Sequence, residues 1–149
     1  MSKRPTYILA FIKRGLNVIY TDVDTIWLKD PRPFLNGDYD MWASIDGRVH
    51  YCTGFMAFKP SPLSINLLKN WKASLVTPDI NQIVFNSLVE KSTIRHKHLP
   101  RKEFPDGLMY FDRKMRSNVV VVHNNYIIGH ENKEQRFKNV GLWWNNEGP

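Results

Sequence analysis

The chain has 149 residues, of which 42% are hydrophobic, and this is enough for one globular domain with a buried core. No apolar run approaches the roughly 20 residues of a membrane span, and a single cysteine excludes an internal disulfide and a cysteine zinc cluster. The net charge of +7 suits a polyanionic partner such as a nucleic acid or a diphosphate, but the basic residues are scattered and carry no nucleic-acid-binding signature.

The first predicted elements are a helix and a strand. Residues 6–14 carry apolar side chains at helical spacing, and Gly15 follows two cations, an order typical of a helix end. The predicted inner face consists of Tyr7, Ile8, Phe11 and Ile12. Residues 17–21 are mostly apolar and β-prone, which predicts a buried strand of an α/β sheet that is entered from a helix rather than from another strand.

Two aspartates, Asp22 and Asp24, follow this strand directly. Ligands of open α/β sheets bind at the carboxyl ends of the strands, so this pair can hold Mg²⁺ or Mn²⁺, which would in turn hold substrate phosphates. The alternative is a surface turn, in which each aspartate bonds its own backbone. Residues 27–35 contain two prolines and predict an ordered loop.

Two strands and two helices are predicted in the middle of the chain. Residues 38–46 and 52–58 form the strands, and their link is either hairpin-like or a longer excursion. Residues 61–62 begin the first helix, and residues 77–79 cap the second, which extends to about Val89. The predicted inner faces are Leu63, Leu67, Leu68, Trp71 and Leu75 in the first helix and Ile80, Ile83, Val84 and Leu88 in the second.

Shorter elements are predicted in the last third of the chain. Residues 94–99 predict a polar strand or a loop, residues 104–107 a turn and residues 108–111 a short strand. Residues 118–122 are the most β-prone stretch of the chain, and they predict a strand.

Side chains near the C-terminus can add chemistry to the aspartate pair. His123 ends the last predicted strand and would make a mixed oxygen and nitrogen site acceptable to Mn²⁺, although a histidine in such a place is more often simply hydrogen-bonded. If the polar stretch after Gly129 is helical, Lys133 and Arg136 share a face and can meet a phosphate; an ordinary solvated charge run is the alternative.

The ordered set of motifs resembles the nucleotide-diphospho-sugar transferase family that includes plant cell-wall xylosyl- and arabinosyltransferases. The similar segments cover nearly the whole chain, and they are residues 22–31, 53–56, 82, 86, 104–107, 110–111, 123–126, 129, 133, 136–137 and 141–143. The resemblance implies a single α/β domain over residues 1–149, a partial glycosyltransferase-A fold with a Rossmann-like mixed sheet flanked by helices. It also implies that the family's N-terminal nucleotide-binding strand is lacking before residue 6, so the domain is expected to be N-terminally incomplete with an open sheet edge.

The resemblance implies a metal and donor site. Asp22 and Asp24 would be the Asp-x-Asp pair, Asp24 ligating the metal directly and Asp22 helping with the metal or the ribose. His123 would be the third ligand of Mn²⁺ (or Mg²⁺), and Lys133 would lie near the diphosphate.

The sugar and catalytic positions are also implied by the resemblance. Thr53 and Gly54 would line the sugar pocket. Asn81 and Gln82 stand where the family has Asp-Gln and are the predicted catalytic residues, although an amide does not supply the negative charge of an acid.

The implied function is metal-dependent, retaining transfer of a sugar from a UDP-sugar to a glycan or glycoprotein acceptor. Two alternatives remain, namely a truncated, non-catalytic module that binds carbohydrate or a partner, and a basic nucleic-acid binder, which is the least supported. Relatives act in the Golgi lumen, whereas the chain shows neither a signal nor an anchor and would be cytoplasmic if complete.

Overall fold

The computed structural model describes residues 3–47, 49–75 and 81–143, which form a mixed α/β structure. In chain order its elements are α1 (Arg4–Ile12), β1 (Val18–Thr21), β2 (Thr25–Trp27), β3 (Met41–Asp46), β4 (His50–Phe58), α2 (Pro62–Ser74), α3 (Asn81–Glu90), β5 (His96–His98), β6 (Val121–His123) and α4 (His130–Asn139). Within these residues, no helix is both long enough and apolar enough to cross a bilayer.

A four-stranded mixed sheet in the order β1-β4-β3-β5 forms the centre of the structure. Strand β4 lies antiparallel to β1 and to β3, and β5 lies parallel to β3, so the predicted mixed sheet is confirmed. The link between β3 and β4 is the hairpin-like alternative. The prediction that β1 is a buried strand is wrong, because β1 has only β4 as a neighbour among the described strands, and Val18, Ile19 and Tyr20 are half-buried.

The two middle strands, β3 and β4, are mostly buried on both faces because their side chains alternate between two hydrophobic clusters. In β4, Met56 and Phe58 face the cluster formed with the helices α1, α2 and α3. Phe55 and Ala57 face the opposite cluster, which includes Phe104 and the start of β6. Strand β4 is therefore the best-packed strand of the sheet, and it gives rigid support to the side chains that pack against it.

Strand β2 lies within a segment that the sequence does not predict as a strand. It pairs antiparallel with β6, which places Thr25 opposite His123 in a separate two-stranded sheet. The rest of the predicted loop contains a 3₁₀ turn over Arg32–Phe34. The pairing joins segments far apart in the chain, so no local pattern indicates it.

Two predicted helix faces are partly wrong. In α1, Ile8 and Ile12 are buried as expected, but Tyr7 and Phe11 are about half exposed, and Leu9 is buried instead. In α2 the predicted inner face is confirmed except at its first residue, Leu63, whose side chain is exposed.

Helix α3 is rotated relative to the prediction. Ile83, expected to face inward, is 71% exposed, whereas Phe85 and Val89 are buried. The reason is that polar side chains of α3 face β4 and thereby fix the rotation of the helix. The predicted cap at residues 77–79 and the inward Ile80 lie outside the described residues.

The predicted strand at residues 108–111 is instead a π-helical turn, Leu108–Asp112. Asp106 causes the difference, because its carboxylate accepts the N–H of Met109 at 2.8 Å and its carbonyl accepts the N–H of Tyr110 at 3.0 Å. An aspartate that caps the following turn favours helical over extended backbone.

Candidate functional site

Three titratable side chains meet where the two sheets come together. Asp22 follows β1, Asp24 precedes β2, and His123 ends β6. One ligand atom from each of them lies within 4.8 Å of the others. Both sheets hold the aspartate loop, because Asp22 N–H donates to the Gly54 carbonyl at 2.8 Å and Asn124 N–H donates to the Asp24 carbonyl at 2.9 Å.

Asp22 is held by groups of the protein on both carboxylate oxygens. Arg4 of α1 donates to Oδ1 at 3.0 Å and to Oδ2 at 2.5 Å, and the hydroxyl of Tyr20 donates to Oδ1 at 2.9 Å. Burial alone would lower the pKa of Arg4, but the pairing with Asp22 outweighs it and raises that pKa. The sequence does not predict the contact between Arg4 and Asp22, since the residue pattern of α1 contains no information on where the end of β1 lies.

Asp24 lies between two cations. Its Oδ1 is 3.3 Å from Nε2 of His123, and its Oδ2 accepts from Nζ of Lys133 at 2.5 Å. Burial would raise the pKa of Asp24, but the bonds to His123 and Lys133 hold it well below its usual range. Asp24 is therefore ionised at any pH near neutrality.

The imidazole of His123 is held by two residues of β4. Sγ of Cys52 lies 3.3 Å from Nδ1, and a Cβ built on Gly54 would overlap the ring. Burial would lower the pKa of His123, but its bonds to Asp24 and Cys52 raise it to about 10. Cys52 and Gly54 are two apart, so both face the ring from one side of the strand.

The donor set of Asp22, Asp24 and His123 fits a hard divalent cation. Carboxylate oxygens suit Mg²⁺ and Mn²⁺, and Mn²⁺ also accepts an imidazole nitrogen. A metal would compete with the cations that bond these ligands now, namely Arg4, Lys133 and the proton of His123. A divalent cation is the largest local charge in such a site, so it can take the place of more than one of these monovalent charges.

Helix α4 delivers Lys133 to the site. Gly129 precedes the helix with a φ of 93°, a conformation that favours glycine. The side-chain amide of Asn124 donates to the Lys133 carbonyl at 2.9 Å and fixes the first turn beside β6. Arg136, predicted on the same face, donates to the Asn125 carbonyl at 3.1 Å, so it anchors the helix to the chain after His123.

Helix α3 completes the hydrogen bonding of β4 beyond the end of β1. Oε1 of Gln82 accepts from the Thr53 N–H at 3.1 Å, and Nε2 donates to Oδ2 of Asp46 at 2.6 Å. Asn86 accepts from the Tyr51 N–H at 2.7 Å and donates to the Tyr51 carbonyl at 2.9 Å, as a neighbouring strand would. Gln82 thus connects the residue before Gly54 with the β3–β4 hairpin.

Asn81, the other predicted catalytic residue, is buried on α3. Its carbonyl accepts from the indole N–H of Trp71 at 3.2 Å. Among the described residues, its side-chain amide has no hydrogen-bond partner. The catalytic roles of Asn81 and Gln82, and the sugar-pocket role of Thr53 and Gly54, stay predictions.

The whole chain is similar to known sugar transferases. Residues 1–137 match the family model described as nucleotide-diphospho-sugar transferase. An Arabidopsis thaliana UDP-D-xylose:L-fucose alpha-1,3-D-xylosyltransferase is 30% identical over 95% of this chain and 46% of its own length. A Dictyostelium discoideum UDP-galactose:fucoside alpha-3-galactosyltransferase is 29% identical over 98% of this chain and 28% of its own length. The chain therefore spans about half the length of these relatives or less.

The fold is also similar to that of a solved structure. The glycosyltransferase GlyE of Streptococcus pneumoniae TIGR4 matches 100% of this chain and 48% of its own, with a TM-score of 0.57 and 13% sequence identity. At this identity the likeness concerns the fold alone, and it agrees with the mixed α/β architecture described above.

Proposed function

The chain belongs to the nucleotide-diphospho-sugar transferase family, and we propose that it transfers a sugar from a nucleotide-diphosphate donor to a glycan or glycoprotein acceptor. The observation that carries the proposal is the cluster of Asp22, Asp24 and His123 with the ammonium of Lys133 beside it. Hard ligands with an adjacent cation, at the end of a strand, suit a metal-bound diphosphate. We place this activity in the Golgi lumen, where relatives of this family act.

The names of the relatives support a more specific donor and acceptor. Both relatives are named for UDP-sugars, UDP-xylose in one and UDP-galactose in the other. One name specifies an L-fucose acceptor and the other a fucoside acceptor, so the acceptor class is shared while the donated sugar differs. We therefore propose a UDP-sugar donor and a fucosyl acceptor for this chain.

The residues of the cluster would divide the work on the donor phosphates. Asp24, His123 and Asp22 would hold Mn²⁺ or Mg²⁺, which as a Lewis acid stabilises the charge on the departing diphosphate. Lys133 would exchange its bond to Asp24 for a diphosphate oxygen and add a second positive charge. Asp22 would offer the metal Oδ2, in place of one bond to Arg4, and would keep its Oδ1 bonds to Arg4 and Tyr20, so the loop stays ordered during this exchange.

We propose that the transfer retains the anomeric configuration of the donated sugar, and that the predicted residues of β4 and α3 act on this sugar. Gly54 of β4 packs against the ring of His123, and we propose that it and its neighbour Thr53 contact the donated sugar. Amide oxygens can stabilise the oxocarbenium-like character of the reacting carbon, and Gln82 is the predicted amide that bonds the backbone of Thr53. The non-catalytic alternative rests on Asn81, which offers no negative charge.

The experiment is calorimetric titration with UDP in Mn²⁺ or in EDTA, on the wild type, Asp24→Asn and Asp30→Asn. Asp30 is the matched control, because it pairs with Arg32 on the exposed surface. We expect UDP to bind the wild type and Asp30→Asn only with Mn²⁺, and Asp24→Asn to lose that binding. Absence of binding to folded wild type contradicts the transferase proposal. Metal-dependent UDP binding without turnover of UDP-xylose or UDP-galactose on a fucoside supports the non-catalytic module.

A further inference from the structure

A cavity of about 960 Å³ lies between the β3–β4 hairpin and α3. Gln82 joins it to the cluster, since the Gln82 amide bonds both to the N–H of Thr53, the neighbour of Gly54, and to Asp46 on the cavity wall. Tyr126, three residues after His123, also lines the cavity. Gln82 therefore connects the cavity wall to the strand whose Gly54 packs against His123.

The charge of the cavity distinguishes it from a phosphate site. The described residues that line it include the acids Asp46 and Glu90 but no lysine or arginine, although the chain carries a net charge of +7. Three histidines, His50, His96 and His98, also line it, and partial burial lowers the pKa of His96 and His98, which favours their neutral forms. A cavity with this wall repels a diphosphate and suits a neutral ligand rich in hydroxyl groups.

Asp46 presents an oriented acceptor to the cavity. Its carboxylate accepts from the Gln82 amide at 2.6 Å and from the hydroxyl of Tyr126. A carboxylate has about four lone-pair sites, so two remain for a ligand hydroxyl. An acceptor that the protein holds in one orientation selects hydroxyl groups by position.

Tyr126 presents an aromatic ring at a backbone position that a large side chain rarely adopts. Its φ is 58°, in the left-handed region, and its side chain is about half exposed. Its hydroxyl also accepts from the Gly47 N–H at 3.2 Å, so the ring is tied to the hairpin at its tip. Backbone strain of this kind concentrates at sites that bind ligands.

We propose that this cavity binds the acceptor as a neutral sugar, with Asp46 accepting a hydrogen bond from a sugar hydroxyl and the ring of Tyr126 packing against the sugar. The inference rests on the proposed function and adds to it the place of the acceptor. The hydroxyl bound by Asp46 would face the donor across Gln82.

The experiment measures binding of methyl α-L-fucoside by NMR titration, once in EDTA and once with UDP and Mn²⁺. The proteins are the wild type, Asp46→Asn, Tyr126→Ala and the control Asp30→Asn, each checked for folding by its thermal melt. We expect Asp46→Asn and Tyr126→Ala to weaken fucoside binding about tenfold or more, because each alters a side chain that is proposed to contact the sugar. UDP binding in Mn²⁺ should stay within about twofold of the wild type in Asp46→Asn.

Fucoside binding tests the cavity, whereas UDP binding tests the proposed function, so the two can fail separately. Fucoside binding that both substitutions leave unchanged, or no binding to wild type in either condition, overturns the cavity assignment even where UDP binds normally. Fucoside binding that depends on Asp46 supports the assignment even where UDP does not bind. A fucose 1-phosphate probe that binds more tightly than the neutral fucoside also contradicts it, because the described residues of the wall include two acids and neither lysine nor arginine.

Discussion

At the scale of single residues, the proton on His123 would compete with a metal for the proposed site. Its pKa is about 10 in the metal-free chain, whereas a metal ligand must be the neutral imidazole. Mn²⁺ binding at pH 7 should therefore release about one proton, and its affinity should rise with pH up to about 10. Calorimetry at pH 7 in buffers of different ionisation enthalpy measures the released proton.

The control for this prediction is His123→Asn, which keeps a polar side chain without a titrating group. We expect no proton release from that variant. Release of the same amount from His123→Asn, or an affinity that is flat between pH 6 and pH 9, contradicts the assignment of His123 as a ligand.

The raised pKa of His123 also predicts how stability depends on pH. In the unfolded chain the imidazole titrates near 6.5, so the folded state binds its proton more tightly. The resulting stabilisation is complete below pH 6.5 and is lost as pH rises towards 10. In EDTA, urea unfolding of the wild type should therefore show stability falling over this interval, and His123→Asn should lack that part of the fall.

Cys52 acts on the site through the imidazole. Its sulfur lies beside Nδ1 and leaves Nε2 turned towards Asp24, as groups behind metal-ligating histidines do. Cys52→Ala removes the polar contact without adding bulk beside the buried ring and should weaken Mn²⁺ binding about tenfold. Mn²⁺ electron paramagnetic resonance measures the free ion; Cys52→Ser, which retains a hydrogen-bonding group, should bind within about threefold of the wild type. Equal affinities of the two variants would leave Cys52 a packing residue only.

The sequence predicts the members of the cluster but not their surroundings. Asp22, Asp24 and His123 carry their own signal, since each follows a β-prone run. Arg4 and Cys52 carry none, because the first contacts the site from a helix and the second from the interior of a strand. Their contacts depend on how β1, β4 and β6 come together, which no local pattern contains.

At the scale of elements, α3 serves as a partner of β4 as well as a core helix. Asn86 satisfies the N–H and the carbonyl of Tyr51, both of which Asn86→Ala leaves without that partner. Both bonds are part-buried, and a typical intramolecular hydrogen bond contributes roughly 0.5–1.5 kcal/mol, so we expect Asn86→Ala to lower the free energy of unfolding by about 1–3 kcal/mol. Ser87→Ala, the next residue, should change it by less than about 0.5 kcal/mol. Urea unfolding measures the free energy of unfolding of the two variants. Equal decreases in both would contradict the role of Asn86 as a hydrogen-bonding partner of β4.

The same contacts explain why the sequence predicts some elements and not others. The helices α1 and α2 and the strands β3 and β4 carry local apolar periodicity, which was sufficient to predict them. In α3 the periodicity places Ile83 inward, but Gln82 and Asn86 turn towards β4, and at about 100° per residue this turns Ile83 outward. Hydrogen bonds between side chains and a distant backbone thus overrule the hydrophobic pattern.

At the scale of the whole molecule, the cluster joins two sheets that share no strand. Asp22 follows β1 of the four-stranded sheet, whereas Asp24 and His123 belong to the β2–β6 pair. The imidazole in turn lies against β4 of the larger sheet. A metal bound by these three residues would therefore tie the two sheets together, besides holding a substrate.

This placement predicts that a metal stabilises the whole fold and not just the loop. At a concentration of Mn²⁺ about 100 times its dissociation constant, binding to the folded state alone adds about 2.7 kcal/mol. For a chain of this length this corresponds to a rise in melting temperature of roughly 5–10 °C. Calorimetric melts in Mn²⁺ and in EDTA measure the rise, which should be absent in Asp24→Asn and intact in Asp30→Asn.

Hydrogen exchange distinguishes this from a local effect. Because the metal would join the sheets, amides of both β2 and β1 should exchange more slowly when Mn²⁺ is added, whereas those of α2, which lies away from the cluster, should change only through the global gain in stability. Slower exchange confined to residues 22–25 would mean that the metal orders the loop alone. The link between the sheets would then come from packing around β4, and Lys133 and Arg4 would already suffice to hold the carboxylates in place.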